Sequence, residues 1–256
     1  MEIIIKTPEQ IEILREGGKK LALILSEVAK KVAPGVTTRE LDEYAEKLIR
    51  ESGDEPAFLN YKPEGISYPY PASLCTSVNQ DIVHGIPQKD QVLKEGEIIS
   101  IDCGLKHKGL YTDHAITVPV GKVSKGAQKL MNSTQEALYK GIEAARGGGH
   151  VGDIGDAIDR YAKKHKYGNV RILSGHGVGI KIHEDPYIPN YGKKGTGEKL
   201  VPGMVIAIEP MFNEGTDDAI VQEDEFTFTT ADSRKSSHFE HTILITEGAP
   251  EILTQV

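Results

Sequence analysis

The chain contains the stretch GEIISID at residues 96–102, and residues 203–209 repeat the pattern as GMVIAIE. Each stretch begins at a glycine, runs through mostly apolar, β-branched residues and ends at an acid, as expected of a buried strand. Two further pairs of segments match in the same chain order: DHAITV (113–118) with EHTILI (240–245), and LDEYAEK (41–47) with IDRYAKK (158–164). Three ordered matches predict a duplicated architecture with pseudo-twofold symmetry.

Two helices are predicted ahead of the strands in each half. A capping box at Thr7 starts the first helix, the pair at 34–35 (Pro-Gly) breaks it, and a second capping box at Thr37 starts the next. In the second half, helical spacing covers 124–146 and 151–164. Because helices and strands do not alternate one for one, we expect an α+β fold in which helices cover one face of a mostly antiparallel sheet. No flexible linker interrupts the chain, which predicts one domain over 1–256.

Composition excludes several classes of protein. The 256 residues are 38% hydrophobic, enough for a substantial core. The apolar runs are far shorter than the roughly 20 residues that span a bilayer, and the N-terminus has no export signal, so a cytoplasmic location is expected. Two cysteines cannot build a disulfide framework and are expected to be reduced. The net charge of −8 argues against a specific nucleic-acid binder.

Four acids occupy equivalent positions in the two halves. Asp102 and Glu209 are predicted to close one strand of each half, and Asp113 and Glu240 to open the next. Symmetry would bring the four carboxylates together, where they would repel one another unless cations neutralise them. Strand alternation directs the neighbouring Cys103 away from this cluster. The sequence therefore predicts a metal site.

Histidines add to this set. His176 lies in SGHGVG (174–179), where small neighbours allow close approach, and it is predicted to be a fifth ligand. Five ligands exceed the three protein ligands of a catalytic zinc and suit a binuclear site, with Mn, Fe, Co and Zn all open. His84 and His183 lie in contexts that predict contact with substrate. The remaining histidines are expected to be solvated or structural: His107, His114, His150, His165, His238 and His241.

Six motifs taken together closely resemble type I methionine aminopeptidase: SVNQDIVHGIP (77–87), IDCG (101–104), YTD (111–113), SGHGVG (174–179), AIEPM (207–211) and FEHT (239–242). The match spans nearly the whole chain. The resemblance implies the pita-bread fold, whose pseudo-twofold symmetry agrees with the internal repeats. It also implies removal of the initiator methionine, with a small second residue preferred, through attack by a metal-bridging hydroxide.

The resemblance also implies a role for each matching residue. Asp102, Asp113 and Glu240 would hold one divalent ion, while His176 and Glu209, with Asp113 and Glu240 as bridges, would hold the other. Glu209 would shuttle a proton, His183 would hydrogen-bond the scissile peptide, and His84 would lie near the substrate and the leaving amine.

The substrate pocket and the partners follow from the same resemblance. The apolar methionine pocket would include Tyr70, Cys75, Phe226 and Ile182, and a monovalent cation would bind near Asn79 and Ser236. The segment 61–69 departs from the family pattern. Expected substrates are peptides and nascent polypeptides that begin with methionine; transient ribosome contact and a monomeric state are also expected, and no membrane partner.

Two rival functions remain open from the sequence. Proline-specific relatives, prolidase and aminopeptidase P, use the same ligands but usually carry a large extra N-terminal domain, for which the first helix leaves no room. A pita-bread module that binds peptides without catalysis is the second rival, but such modules lose metal ligands, and all five are present here.

Overall fold

The computed structural model describes residues 3–256, in which four helices and fifteen strands are formed. The helices are α1 Pro8–Lys31, α2 Thr38–Glu51, α3 Lys125–Ala144 and α4 Val151–His165. The strands are β1 Glu55–Pro56, β2 Leu74–Val78, β3 Asp81–Val83, β4 Ile98–His107, β5 Leu110–Pro119, β6 Gly168–Asn169, β7 Ser174–Gly177, β8 Glu184–Pro189, β9 Val205–Ile208, β10 Met211–Asn213, β11 Ala219–Val221, β12 Phe228–Thr230, β13 Ser236–His238, β14 Glu240–Leu244 and β15 Glu251–Ile252.

The helices begin where the capping signals predict. The Thr7 hydroxyl accepts a hydrogen bond from the backbone N–H of Gln10, whose side chain accepts from the Thr7 N–H in return. The same reciprocal bonds join Thr37 and Glu40 at the start of α2. These bonds satisfy backbone donors that the first helical turn leaves free. The helix predicted over 124–146 spans Lys125–Ala144, with Ser124 as its N-cap.

A nine-stranded sheet forms the centre of the molecule. Its order is β1-β4-β5-β14-β9-β7-β8, with β2 also pairing β4 and β15 also pairing β14, and every pair is antiparallel. The pair β4–β5 from the first half meets the pair β14–β9 from the second half across the β5–β14 contact. This arrangement confirms the predicted duplication and pseudo-twofold symmetry. Two smaller sheets, β13-β10-β6 and β11-β12-β3, flank the large one.

The helices pack on one face of the large sheet. Residues of α1 and α2 form an apolar cluster with Ile99 and Ile101 of β4, and residues of α3 and α4 form another with Ile206 and Ile243. Burial of these alternate strand residues is the main stabilising term. The acids lie on the opposite face of the same strands. Within residues 3–256, no helix combines the length and apolarity needed to cross a membrane.

One expectation about the strands is wrong. Asp102 does not close its strand, since β4 continues to His107 and Asp113 lies inside β5. The two strands form a long hairpin, paired from Ile98 with Pro119 to His107 with Leu110. Its two-residue turn, Lys108–Gly109, has positive φ angles of 48° and 85°, as a type I′ turn requires. The apolar run stops at Asp102 because that residue is a candidate ligand, whereas the extended backbone of β4 continues beyond it.

Candidate metal centre

Strand register brings the acids to one face of the sheet. Ala115 of β5 pairs with Asp102 of β4 on one side and with Glu240 of β14 on the other. Asp113 lies two residues before Ala115 and therefore points to the same face. Glu209 follows the end of β9 directly. All four carboxylates, with the imidazole of His176, line one cavity of about 650 Å³.

The five side chains lie close enough to share metal ions. Ligand atoms of Asp113, His176 and Glu240 lie within 4.8 Å of one another. Asp102 lies close enough to Asp113 for the two charges to interact, and Nε2 of His176 lies 3.4 Å from Oε1 of Glu209. The structure thus places each residue that the sequence predicts as a ligand in one continuous group.

The raised pKa values of these carboxylates indicate that the group needs a neutralising cation. Burial, and then repulsion from neighbouring carboxylates, raises the pKa of Asp102, Glu209 and Glu240, and burial raises the pKa of Asp113. Asp102 Oδ1 and Glu240 Oε1 are buried without a hydrogen-bond partner among the described residues. Orphaned buried carboxylate oxygens cost free energy unless a cation neutralises them. The donor set, oxygen-rich with one imidazole, fits divalent metal ions.

His176 is held with one nitrogen free for a metal. Its Nδ1 lies 2.8 Å from the carbonyl oxygen of Gly177 and donates to it, so the lone pair of Nε2 faces Glu209. Burial lowers the pKa of His176 to about 4, which keeps the imidazole neutral. The flanking glycines are required by packing: a Cβ at Gly175 would lie 2.3 Å from the carbonyl oxygen of Ala207.

Further hydrogen bonds fix the backbone around the acids. The Thr242 hydroxyl donates to the carbonyl oxygen of Asp113 at 2.7 Å and accepts from its N–H at 2.9 Å. The backbone N–H of His114 donates to Asp113 Oδ1, and the Asn190 amide donates to the carbonyl oxygen of Glu209. Such contacts orient ligands before a metal binds.

His84 and His183 both lie on the cavity wall, as expected of residues that contact substrate. The His183 ring packs edge-to-face against His176, with ring centroids 4.5 Å apart. Burial lowers the pKa of His84 to about 4 and that of His183 to about 3, with nearby imidazoles adding to the effect. Both side chains are therefore neutral near pH 7.

The cavity also has an apolar wall. Tyr70, Cys75 and Phe226 line it, and the rings of Tyr70 and Phe226 meet edge-to-face at 5.1 Å. Ile182 is buried in the cluster behind this wall and is not among the cavity-lining residues. Tyr61, in the segment that departs from the family pattern, also lines the cavity.

Sequence reasoning did not single out His238. This side chain is 2% exposed, its Nε2 lies 3.7 Å from Glu209 Oε2, and neither ring nitrogen has a hydrogen-bond partner within residues 3–256. Glu209 therefore lies between two imidazoles. The available signal was the position of His238 two residues before Glu240, although Phe239 separates β13 from β14.

Comparisons with known proteins show the family of this chain. Residues 12–247 match the model of metallopeptidase family M24. The chain is 45% identical over 254 residues to methionine aminopeptidase 1 of Bacillus subtilis, covering 99% of this chain and 100% of the relative. A crystal structure of methionine aminopeptidase from Rickettsia prowazekii superposes with a TM-score of 0.95 at 41% identity, covering 99% of this chain and 100% of that one.

A more distant structure shares the fold alone. The prolidase of Pyrococcus horikoshii has a TM-score of 0.79 at 22% identity, and the match covers 99% of this chain but 64% of the prolidase. The shared architecture confirms the pita-bread fold. From the family match over most of the chain and the full-length identity, this chain belongs to metallopeptidase family M24.

Proposed function

We propose that this protein is a metal-dependent aminopeptidase that hydrolyses the N-terminal methionine from peptides and nascent polypeptides. The observation that carries the proposal is one cavity lined both by four carboxylates and an imidazole and by the apolar wall of Tyr70, Cys75 and Phe226. The carboxylates and the imidazole suit metal-assisted hydrolysis, and the apolar wall suits a flexible thioether side chain. The full-length relatives named methionine aminopeptidase support the same substrate.

We propose five metal ligands. Asp102, Asp113 and Glu240 would hold one ion, and Asp113, His176, Glu209 and Glu240 would hold the other. Two divalent ions account for all five donors, and Co, Mn, Fe and Zn all accept such a set. When bound, the ions supply Lewis acidity that polarises the scissile carbonyl and makes a water molecule nucleophilic at neutral pH.

The protein side chains transfer the proton, stabilise the developing charge and bind the substrate. Glu209 accepts a proton from the attacking water and passes it to the leaving amine. His183 donates a hydrogen bond to the carbonyl oxygen of the scissile peptide, where negative charge develops. His84 contacts the substrate near the leaving amine. The wall formed by Tyr70, Cys75 and Phe226 receives the methionine side chain, and a small second residue fits best beyond it.

Further proposals concern the surroundings of the site. A monovalent cation near Asn79 and Ser236 stays a prediction. At that place the Lys235 ammonium contacts Asn79 Oδ1, and the backbone N–H of Ser236 donates to the carbonyl oxygen of Asn79. We propose one catalytic domain over 1–256, supported by the β5–β14 pairing between halves; residues 1 and 2 lie outside the described part. Monomeric state, cytoplasmic location and transient ribosome contact also stay predictions.

The rival functions are separated by one assay. Metal-stripped protein, with Mn, Co, Fe or Zn added back singly, is incubated with Met-Ala-Ser and Ala-Pro-Ser, and products are identified by mass spectrometry. We expect metal-dependent release of methionine from the first peptide alone. Cleavage of the proline peptide would assign a proline-specific enzyme, and no cleavage with any metal would favour a binding module.

Variants test the ligand assignment. Asp113→Ala and Glu240→Ala each remove a bridge, so both should abolish turnover and lower the bound metal measured by elemental analysis. Glu214→Ala, which removes an acid outside the cavity-lining set, is the matched control and should keep both. Near-normal activity in either bridge variant would refute the two-metal assignment.

A further inference from the structure

Tyr61 makes a direct contact with the imidazole of His183. The phenol oxygen lies 2.9 Å from Nδ1 of His183, and the ring centroids are 5.2 Å apart. A separation of 2.9 Å is within the normal range for a hydrogen bond. The two residues are 122 positions apart in the chain, so this contact exists only in the folded protein.

The tautomer of His183 and the donor in this bond determine each other. Burial raises the pKa of Tyr61, so its proton is retained at neutral pH. Within residues 3–256, the Tyr61 hydroxyl has no hydrogen-bond acceptor other than Nδ1 of His183. A neutral imidazole carries one N–H and one acceptor nitrogen. If Nδ1 accepts from the phenol, the proton of His183 must be on Nε2.

We propose that Tyr61 is a positioning residue that holds His183 as the tautomer protonated on Nε2, the nitrogen that the bond to Tyr61 leaves free. This inference rests on the proposed function, in which His183 donates to the scissile carbonyl. The other tautomer would present a lone pair to that oxygen and repel it. Tyr61 thereby acts on the substrate through His183.

The segment that carries Tyr61 is anchored at both ends. The backbone N–H of Tyr70 donates to the carbonyl oxygen of Tyr61 at 2.8 Å, and the N–H of Asn60 donates to the carbonyl oxygen of Tyr70 at 2.9 Å. The side chain of Ser67 donates to Glu225 at 2.7 Å. These bonds close the loop and fix it against the turn near Glu225. The phenol is therefore presented to His183 by an ordered loop.

The same loop offers a matched control. The Tyr68 hydroxyl donates to the carbonyl oxygen of Asp224 at 2.7 Å and does not contact His183. Tyr61→Phe and Tyr68→Phe each remove one phenol hydroxyl from this segment and keep the ring. The first removes the bond to the imidazole, whereas the second removes only a bond to backbone.

The tautomer is measured directly by long-range ¹H–¹⁵N NMR on histidine-labelled protein, with the His183 signal assigned from a His183→Asn variant. We expect the Nε2–H form in wild type and in Tyr68→Phe, and a mixture of tautomers in Tyr61→Phe. With Met-Ala-Ser at saturating metal, Tyr61→Phe should lower kcat about five- to tenfold, the effect of one hydrogen bond, with KM and metal content unchanged. Tyr68→Phe should keep kcat within twofold.

Each outcome decides between the explanations. An Nδ1–H form in wild type, or an unchanged tautomer and kcat in Tyr61→Phe, would overturn the inference. Equal loss of kcat in both variants would also overturn it, because the loop rather than the imidazole contact would then be responsible. A wild-type protein that releases no methionine but shows the Tyr61-dependent tautomer would refute the proposed function and support the positioning role.

Discussion

A buried ion pair connects the N-terminal segment to the loop that carries His183. Lys6 Nζ lies 2.5 Å from Glu184 Oε2, and the two side chains are only 1% and 2% exposed. Glu184 Oε1 accepts hydrogen bonds from the backbone N–H groups of Ile180 and Lys181. The stem of Lys6 passes over Gly179, where a Cβ would lie 2.4 Å from Lys6 Cε. Loss of one charge would therefore leave the other buried and unpaired.

The expected loss in the free energy of unfolding depends on two opposing energies, the attraction between the charges and their desolvation. At an effective dielectric constant of 20, charges this close attract by about 7 kcal/mol, and desolvation costs several kcal/mol per ion. Burial in fact lowers the pKa of Lys6 despite the attraction of Glu184. The intact pair is thus nearly neutral in net energy, whereas Lys6→Met should lower the free energy of unfolding by about 3–5 kcal/mol. That corresponds to roughly 10 °C in Tm for a chain of this size.

Urea denaturation at pH 7.5 gives the measurement. Lys30→Met is the control, because its pair with Glu27 is exposed and should contribute less than about 0.5 kcal/mol. Glu184→Gln keeps an acceptor for the loop N–H groups, so the double variant Lys6→Met/Glu184→Gln should recover most of the loss of the single one. A loss below about 1 kcal/mol in Lys6→Met, or full additivity in the double variant, would refute the reasoning.

Three further predictions follow from single side chains. His183→Ala should lower kcat about 100-fold with metal content intact, since it removes a hydrogen-bond donor; loss of metal would instead make His183 a ligand. Burial raises the pKa of Asp81 to about 6, so its stabilising contribution is present below about pH 4 and is lost as the pH rises through 6. Asp81→Asn should therefore raise the free energy of unfolding at pH 7.5, by at most about 3 kcal/mol, and have little effect near pH 3.5; an equal effect at both pH values would contradict this. Burial also raises the pKa of both cysteine thiols, Cys75 and Cys103, so a thiol reagent should label two groups in denaturant and neither in native protein; rapid native labelling would show that the site opens.

Local signals in the sequence were enough to predict the helices and the acid cluster. The capping boxes at Thr7 and Thr37 depend on residues three positions apart, so they are readable without knowledge of the fold. The acids interrupt apolar strands, and this conflict between burial and charge is itself a functional signal. Strand alternation then correctly placed Cys103 on the helix face, in the cluster with Ile99 and Ile101.

Contacts between distant residues were not readable in the same way. The bond from Tyr61 to His183 depends on how a loop folds over the cavity, and no local pattern encodes it. His238 reaches Glu209 only because β13 pairs with β10, which begins two residues after Glu209. The extent of β4 beyond Asp102 was missed because pairing with β5, rather than apolar content, decides where a strand ends.

The pseudo-twofold symmetry explains why the site can exist in a stable protein. Each half supplies two acids, and the pairing of β5 with β14 fixes their spacing through backbone hydrogen bonds on a sheet whose other face is covered by apolar helices. The strands therefore hold the carboxylates together although these raise one another's pKa. The halves differ in the ligand set, because the second half adds the nitrogen donor of His176 and the first half adds no imidazole to it. The ligand group on this symmetric scaffold consequently has two chemically different ends, one with oxygen donors only and one with an imidazole. Metal binding relieves the repulsion at both ends, so it should stabilise the folded state over the unfolded chain.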